Sequence, residues 1–404
     1  MSKNEKMMLF LLASINFTHI LDFMIMMPLG NYLMPFFKIN TQQFSFLVSA
    51  YTFSAAISGF CAAFFVDGFD RKKVLLFGYI GFLIGTIACG IAPSFHLLIV
   101  ARIVAGLFGG LIGAQVLSII SDVFSYERRG KAMGSVMSAF AIASTFGVPF
   151  SLYLANIISW HAPFLLVGIL GIVLVPLLVK YIPSMDQHLL NRVEKKSPFE
   201  ALHIITGNKN LLLALLFSGL VMMGHFLIIP FINPYMEFNN GYTKQQTPLI
   251  YLVGGIASFF AANILGRLSD KFGKLKIFSI CIVLSLPFVI GVTHVPAIAL
   301  WLMLTMFGVW FVLATGRGVT AQAMVSNVVQ SEYRGSFMSF NSSVQQFGTG
   351  IASLAAGFIV TKSTTGKIGH YNWLGYMSVV VLLICLFLGR YLFAKIDREK
   401  AMNN

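Results

Sequence analysis

The sequence predicts an all-α integral membrane protein with twelve transmembrane helices, arranged as two pseudo-symmetric six-helix bundles. Three observations favour this fold. Apolar runs repeatedly reach about 20 residues, the length that spans a bilayer. Lys and Arg gather in alternate loops, and one charged string occurs in each half of the chain. Together these features indicate a duplicated helical unit.

The composition excludes a soluble globular domain. The chain is 57% hydrophobic with a mean hydropathy of +0.82, and most of its apolar runs lack the polar face of a soluble helix. Backbone amides in hydrocarbon must pair within their own segment, so the runs are predicted to be helices. The predicted spans are 8–36, 44–66, 74–93, 96–121, 133–156, 163–182, 210–236, 247–266, 276–294, 297–323, 337–361 and 372–394.

The basic residues predict that both chain termini face the cytoplasm. With the N-terminus placed inside, 22 of the 28 Lys and Arg residues fall in cytoplasmic loops, tails and adjoining span ends. Only four fall in outside loops, and two, Arg102 and Arg317, lie within spans. This asymmetry is the positive-inside bias of multi-span membrane proteins.

One long cytoplasmic loop is predicted to join the two bundles. Within it, "SPFE" (Ser197–Glu200) is a capping box with proline at the first helical position, which predicts a short helix that ends at Gly207. This helix either lies on the membrane surface through Phe199, Leu202 and Ile205 or only links the bundles, and we favour the link. The predicted domains are an N-terminal six-helix bundle (1–182), the linker (183–209) and a C-terminal six-helix bundle (210–404).

Several other classes of protein and site are disfavoured. The formal net charge is +14, but the basic residues occupy scattered short loops, so nucleic acid is not expected as a partner. The four cysteines lie inside apolar runs without metal-ligand spacing or a disulfide framework, so no metal site is expected. The first apolar run has no small-residue cleavage site, which predicts a retained span.

The charged string "GRLSDKFGKLK" (266–276) reveals an internal repeat. A blurred copy, "AFFVDGFDRKK" (63–73), stands 203 positions earlier, and each string follows the second span of its half. In addition, "ERRG" (127–130) precedes the fifth span and "EYRG" (332–335) precedes the eleventh. Two halves repeated in the same orientation are typical of secondary transporters whose halves rock about a central site.

These strings resemble the signature loop of the major facilitator superfamily, Gly-x-x-x-Asp-Arg-x-Gly-Arg-Arg/Lys. In the second string, the matching or conservatively substituted positions are Gly266, Asp270, Lys271, Gly273 and Lys274, and Leu275 departs. The first string keeps Asp67, Arg71 and Lys72 and departs at Ala63, Gly68 and Asp70.

Two further elements extend the resemblance over essentially the whole chain. The fourth span contains "RIVAG" (102–106), which is similar to the Arg-x-x-x-Gly element of that helix in the family. The fifth contains "GVPFS" (147–151), which is similar to the Gly-x-Pro-x-Gly antiporter element with Ser151 in the last position. This second element points to the drug and sugar efflux branch of the family.

The resemblance implies that the first string latches the two halves together on the cytoplasmic side. Its acid would face the start of the eleventh helix, and its base would reach an acid at the end of the fourth. The chain offers Asp67, Arg71 and Asp122 for these roles, whereas Asn327 replaces the matching acid in the second half. A weaker latch is therefore expected from the second string, whose candidates are Gly266, Asp270, Gly273 and Lys274. The alternative is that these charges only set the orientation.

Asp22 is the one acidic residue predicted to lie deep within a span. It lies roughly 20 Å along the first helix, near mid-bilayer, where an ionised carboxylate is costly unless it faces water or a partner. A carboxyl that is neutral when dry and charged when wet can carry a proton, so we favour proton coupling over a structural role. Arg102 is the expected partner of Asp22. Arg317 could instead balance Asp22, attract an anionic substrate or extend to the inner interface.

His225 occupies the place in the second half that Asp22 occupies in the first. Asp22 precedes Asp67 by 45 residues, and His225 precedes Asp270 by the same number. Imidazole titrates near neutral pH, so His225 is a candidate for the proton relay or for substrate binding, with simple packing as the alternative. His19, one turn from Asp22, could modulate it.

The resemblance also implies a cavity lined by helices one, four, seven and ten, with five, eight and eleven beside them. Met and aromatic side chains would adapt to varied apolar ligands, and amides would bind a polar group. The cavity candidates are Phe23, Met26, Met27, Gln115, Met223, Phe226, Asn233, Thr315, Arg317, Asn341 and Gln345. Gly147 and Pro149 are expected to bend the fifth helix or allow close packing, which is a gating role.

The predicted function is proton-coupled efflux of a small amphipathic drug or metabolite by alternating access. The alternative is a sugar or organic-anion transporter of the same family, working by efflux or proton symport. An enzyme is not expected, since neither HExxH nor GxSxG occurs. We expect a monomer in a bacterial inner membrane, with the lipid bilayer and a small-molecule substrate as partners and the proton gradient in place of any cofactor.

Overall fold

A computed structural model describes residues 3–65, 68–124, 126–185, 198–329, 334–363 and 366–403. Within these ranges the chain is almost entirely helical. The helices of the first half are α1 (Lys3–Met26), α2 (Gly30–Phe37), α3 (Thr41–Phe65), α4 (Arg71–Gly90), α5 (Phe95–Val123), α6 (Tyr126–Ile142), α7 (Val148–Ile157) and α8 (His161–Tyr181). The linker and second half contain α9 (Pro198–Gly207), α10 (Lys209–Phe226), α11 (Ile232–Phe238), α12 (Pro248–Phe272), α13 (Lys274–His294), α14 (Leu300–Ser326), α15 (Arg334–Ile359) and α16 (Tyr371–Asn403).

The prediction of a multi-span membrane protein is confirmed. Eleven helical segments among the described residues are long and apolar enough to cross a membrane. The predicted eleventh span corresponds to α15, a continuous helix of 26 residues. It is not among these eleven segments, because it contains the polar sequence "FNSSVQQFGTG". The count of twelve spans and the cytoplasmic placement of both termini stay predictions.

Helix caps explain how the short loops reverse the chain. Asp70 caps α4, because its side chain accepts a hydrogen bond from the backbone N–H of Lys72. At the equivalent place in the second half, Gly273 separates α12 from α13 with a φ of 95°, a conformation that glycine adopts without a Cβ clash. Both repeated strings therefore include a tight turn from one helix into the next.

The first helix of each half is broken at an equivalent place. α1 ends at Met26 and the chain resumes helix at Gly30, while α10 ends at Phe226 and is followed by a short 3₁₀ turn before α11. Pro28 lies in the first break and Pro230 in the second, where each removes a backbone donor. The sequence predicted continuous spans here, because the residues around each proline are as apolar as the rest of the helix.

The fifth span is also irregular. A π-helical turn, Ala143–Gly147, joins α6 to α7 just before Pro149. A Cβ on Gly147 would lie 2.8 Å from Cδ1 of Leu21, so the glycine lets α1 approach this turn. Both effects expected of Gly147 and Pro149, a local irregularity and close packing, are present, and their part in gating stays a prediction.

Two helix pairs hold the halves together. α3 packs antiparallel against α15 along its length, with ring centroids 6.2 Å apart for Phe46 and Phe358 and 5.2 Å apart for Phe60 and Phe340. α12 packs against the π turn and α7. The short linker helix α9 contacts α3, α10 and α15 and buries Ile205. It thus packs on both halves, which favours the bundle-linking interpretation.

At the predicted outer end, the loop before α16 contains a short β-hairpin whose strands have two residues each. Its strands are β1 (Thr361–Lys362) and β2 (Ile368–Gly369), paired antiparallel. The side chain of Asn239 completes this hairpin, donating to the carbonyl of Ile368 and accepting from its N–H, each at 2.8 Å. The sequence predicted only a loop here, since the hairpin is too short to leave an alternating pattern.

Candidate functional site

Asp22 on α1 and Arg102 on α5 form a fully buried ion pair. Nη1 of Arg102 lies 2.8 Å from Oδ2 of Asp22, and neither side chain has exposed surface. The Arg102 guanidinium also lies 4.3 Å from the ring centroid of Tyr51, where the negative face of the ring attracts it. The structure therefore brings together the acid and the base that the sequence paired. Their role in proton coupling stays a prediction.

Some polar atoms of the buried pair have no hydrogen-bond partner in the described structure. Oδ1 of Asp22 and both Nε and Nη2 of Arg102 are buried with no partner among the described residues. His19 lies in the same buried region with neither ring nitrogen bonded, and its ring centroid is 5.6 Å from that of Phe82. A carboxylate can accept about four hydrogen bonds, so the second oxygen of Asp22 is chemically able to take a proton.

The second half has its own polar pair at the equivalent helices. Nη2 of Arg317 on α14 donates to Nδ1 of His225 on α10 across 3.3 Å, and Nη1 donates to the hydroxyl of Ser285 across 3.1 Å. Because a guanidinium only donates, Nδ1 of His225 must be unprotonated here. Arg317 is 1% exposed, so its guanidinium is enclosed by the helices of the protein.

The environment of His225 connects this pair to the interface between the halves. Its ring lies 5.1 Å from that of Trp310, and the side chain is half-buried. The next residue, Phe226, lies 5.8 Å from Phe23, the residue next to Asp22. Asp22 and His225 thus stand on either side of a Phe–Phe contact that joins the halves.

The remaining cavity candidates fall into three groups. Met26 and Met27 are buried in the apolar core, and Met223 packs against it. Gln345 donates to Ser218 at 2.8 Å and to Gln322 at 3.0 Å, which ties α15 to α10 and α14. Three buried polar candidates complete the set: Gln115 and Asn341, which keep side-chain atoms without partners in the described structure, and Asn233, which donates to the carbonyl of Pro28.

Thr315 lies apart from these groups. Its hydroxyl donates to Ser258 on α12 across 2.9 Å, so it joins two helices within the second half. Arg317, two residues later, faces α10 and α13 instead. The eleven cavity candidates are therefore not one continuous lining in this conformation, and their contact with substrate stays a prediction.

The cytoplasmic gate residues of the first string form one clear ion pair. Nε of Arg71 bonds Oδ2 of Asp122, which joins the start of α4 to the end of α5 within the first half. Asp67, expected to face the eleventh helix, lies outside the described residues. The contact between the halves that the latch requires therefore remains untested, whereas the Arg71–Asp122 pairing is present.

Asp70 has a more elaborate environment than the sequence suggested. Besides capping α4, its carboxylate accepts hydrogen bonds from the hydroxyl of Ser184 and the N–H of Met185. Burial disfavours the charged form, but these hydrogen bonds outweigh it and lower the pKa of Asp70 below its ordinary value. The residue thus anchors the segment after α8 to the first loop.

The second string makes only a local pair. Nζ of Lys274 lies 3.4 Å from Oδ1 of Asp270, one helical turn away, and Asp270 is 73% exposed. A Cβ on Gly266 would lie 4.0 Å from Cγ1 of Val319, an ordinary contact, so the helix packing here does not require glycine. Such an exposed pair contributes little to stability. The weaker second latch that Asn327 predicts stays a prediction.

Sequence reasoning missed an acid that bonds across the two halves. Glu237 on α11 accepts a hydrogen bond from Asn31 on α2 at 2.5 Å and another from Thr247 at 2.8 Å. The signal was available, since "PLGN" and "PFIN" repeat around Pro28 and Pro230. The predicted seventh span ends at residue 236, so Glu237 falls just outside it.

Relatives of known family share most of this chain. A model of the Major Facilitator Superfamily matches residues 12–320. The uncharacterised MFS-type transporter YceJ of Bacillus subtilis is 26% identical over 358 residues, which is 87% of this chain and 88% of that protein. Multidrug resistance protein 3 of Bacillus subtilis is 32% identical, over 32% of this chain and 25% of its own length.

Solved transporter structures share the fold. A bacterial homolog of the human lysosomal transporter Spinster, in an inward-facing conformation, superposes with a TM-score of 0.74 at 18% identity and 98% coverage of both chains. A D-xylose–proton symporter superposes with a TM-score of 0.75 at 16% identity, covering 94% of this chain and 96% of its own. The chain therefore belongs to the Major Facilitator Superfamily, and it is a multi-pass membrane transporter.

Proposed function

We propose that this transporter exports a small amphipathic molecule in exchange for protons. The observation that carries the proposal is the Asp22–Arg102 pair, an acid and a base sealed inside the first half with an unbonded carboxylate oxygen. A buried ionisable pair is costly to keep, and inside a membrane such residues mark ion and proton pathways. Two halves of six helices each are proposed to rock about this region.

In this scheme Asp22 alternates between two states. When the pair is closed off from water, Arg102 neutralises the Asp22 carboxylate and the pair has no net charge. When the outer side opens, a proton binds to Asp22, the bond to Arg102 weakens, and substrate leaves. When the inner side opens, the proton is released and the pair re-forms. The energy comes from the proton gradient, with no other cofactor, and one chain suffices.

Two features support efflux rather than uptake. The first is the "GVPFS" sequence in the fifth span, which is similar to the antiporter element of the family. Its glycine and proline lie where a π turn interrupts the α-helix. The partial similarity to multidrug resistance protein 3 also points in this direction, although it covers 32% of the chain.

Arg317 favours a second candidate, an organic-anion transporter. It is buried, it bonds two neutral groups, and no acidic residue pairs with it among those the structure describes. A buried cation of this kind would attract an anionic substrate group, which guanidinium binds well. The solved structures of similar fold include a proton-linked sugar transporter and a nucleoside transporter, so polar substrates are also represented in this fold.

The test uses purified protein in proteoliposomes. A panel of amphipathic cations, neutral drugs, sugars and organic anions is screened for substrate-induced proton flux, with a pH gradient and without one. For a substrate found in this way, Asp22→Asn is expected to abolish gradient-driven accumulation while leaving substrate counterflow at equal pH. Glu5→Gln, a carboxyl-to-amide change near the start of the same helix, is the matched control.

Gradient-driven accumulation that survives in Asp22→Asn would show that Asp22 is not the coupling acid. Loss of both accumulation and counterflow would point to a structural role. A proton flux that reverses sign, with substrate and proton moving together, would replace antiport by symport.

A further inference from the structure

The broken first helices of the two halves meet at the predicted outer end. "PLGN" and "PFIN" stand 202 positions apart, and each follows the break in its helix. Asn233 of the second motif donates from Nδ2 to the carbonyl of Pro28 at 3.2 Å. Asn31 of the first motif donates from Nδ2 to Oε2 of Glu237 at 2.5 Å. Each asparagine therefore reaches across to the other half.

Glu237 is the charged member of this contact. Its Oε1 accepts the hydroxyl of Thr247, at the start of α12, while its Oε2 accepts Asn31 from the other half. Both donors are almost completely buried, 2% exposed for Asn31 and 1% for Thr247. A hydrogen bond to an ionised carboxylate is about twice as strong as one between neutral groups, so the charge of Glu237 strengthens the contact between the halves.

The position of Glu237 in the sequence is unusual for an acid in this chain. Of the 14 acidic residues, twelve fall in predicted cytoplasmic segments and Asp22 lies mid-span. Glu237 is thus the only acidic residue at the predicted outer end. The titratable groups that interact with it from neighbouring elements are Tyr32 on α2, Lys244 in the loop before α12, and Tyr251 on α12.

Lys244 is the one cation in that group. Its Nζ lies 4.4 Å from the ring centroid of Tyr32. Lys244 forms no ion pair with Glu237 among the bonds that the structure describes. Glu237 therefore has one cation and two phenols as its titratable neighbours.

We propose that Glu237 is a second proton-responsive residue, which holds the outer entrance closed while it is ionised and releases it when a proton from the outside binds. This inference rests on the proposed proton exchange, because it assigns the step that admits outside protons. Glu237 is a gating residue in this scheme, and it need not touch the substrate.

The physical step is a change in bond strength. The ionised carboxylate accepts from Asn31 and Thr247 at once. Protonation turns one oxygen into a donor, so one charge-assisted bond is lost and the other becomes a neutral bond of about half the strength. Glu237→Gln keeps the size and removes the charge, and it therefore mimics the protonated state at every pH.

The test measures the width of the outer entrance directly. Spin labels are placed at Ile91→Cys, exposed at the end of α4, and Gln245→Cys, exposed in the loop before α12, after the exposed Cys61 has been replaced by alanine. Distances between the labels are recorded in lipid nanodiscs at about pH 4.5 and about pH 8. We expect the long-distance population to rise roughly fivefold at the lower pH.

Two further variants make the experiment decisive. Glu237→Gln is expected to show the long distance at both pH values, and Asn31→Ala is expected to widen the entrance at pH 8 as well. His294→Gln, a change at an outer-end histidine with no described bond to Glu237, is the control and should keep the response of the parent. A pH response that persists in Glu237→Gln would overturn the proposal, as would no response in the parent.

The readout separates this proposal from the proposed function. No substrate or gradient is needed, so the distances do not depend on proton exchange at Asp22. An Asp22→Asn protein that no longer couples transport to protons should still open its outer end at low pH. Coupled transport in a protein without any pH response at the outer end would reject Glu237 alone.

Discussion

Nη1 of Arg102 lies 2.8 Å from Oδ2 of Asp22, at a place where neither side chain has exposed surface. Taking two charges out of water costs several kcal/mol for each, and their mutual attraction offsets this cost only while both are present. The pair therefore behaves as a unit, and the consequences of removing one member differ from those of removing both.

We predict that Arg102→Gln destabilises the protein by about 3–5 kcal/mol, because it leaves a buried carboxylate without its partner. The double variant Asp22→Asn, Arg102→Gln should recover most of that loss, since two neutral amides can bond each other. Thermal inactivation in detergent measures the stability of each protein. A double variant no more stable than Arg102→Gln would contradict the pairing. Gradient-driven transport should be lost in both.

The Arg71–Asp122 pair gives a prediction about the cytoplasmic side. Arg71→Ala should cut the initial transport rate about fivefold, the factor expected for a partly exposed ion pair of about 1 kcal/mol, while membrane insertion stays normal. Asp122→Asn should have the same effect, and the two changes together should add little. Lys274→Ala in the second string should cost less, because its partner Asp270 is 73% exposed. Normal transport by Arg71→Ala would reject the latch.

Much of this arrangement follows from local patterns in the sequence. The apolar runs predict the helices because a bilayer imposes one length and one backbone solution. The Asp22–Arg102 pairing was predictable as well, since a mid-span acid needs a partner and few charges occur within spans. The repeat alone predicts that His225 corresponds to Asp22, and the residues that follow them, Phe226 and Phe23, contact each other between the halves.

Other features depend on contacts that the sequence does not encode locally. The breaks at Pro28 and Pro230 lie in runs as apolar as any other, so the hydrophobic pattern does not indicate that the helices end there. The bonds of Asn31 and Asn233 cross between halves some 200 residues apart, and only the folded chain brings them together. The sequence left three roles open for Arg317, and its hydrogen bonds to His225 and Ser285 depend on how α10, α13 and α14 pack.

Asp70 provides a prediction about pH. The pKa of Asp70 is lowered in the folded protein, so its ionised form stabilises the loop between α3 and α4. This contribution is fully present above the ordinary pKa of aspartate and is lost as the pH falls through the lowered folded value. Asp70→Asn, which still caps a helix, should therefore be less stable than the parent near neutrality and lose less stability below about pH 4. Thermal inactivation measured against pH tests this, and parallel curves would contradict it.

A substitution at Gly255 tests whether the contact between α12 and the π turn must rearrange during transport. A Cβ at this position would lie 2.5 Å from the Cα of Thr145 and 2.8 Å from its backbone N, and backbone atoms cannot rotate away. Gly255→Ala should therefore push α12 off the turn, lower stability by about 1–3 kcal/mol and slow transport. Gly134→Ala on α6 is the matched control, because a Cβ there meets nothing within 4 Å.

The two effects of Gly255→Ala can be separated. If the contact only supports the fold, transport should return to the parent rate at a temperature where the variant is fully folded. If the contact must also rearrange between conformations, the rate should stay low there, because the added methyl group changes the relative energies of the two arrangements. A variant that matches Gly134→Ala in both stability and rate would show that α12 and the π turn are not in contact in the membrane.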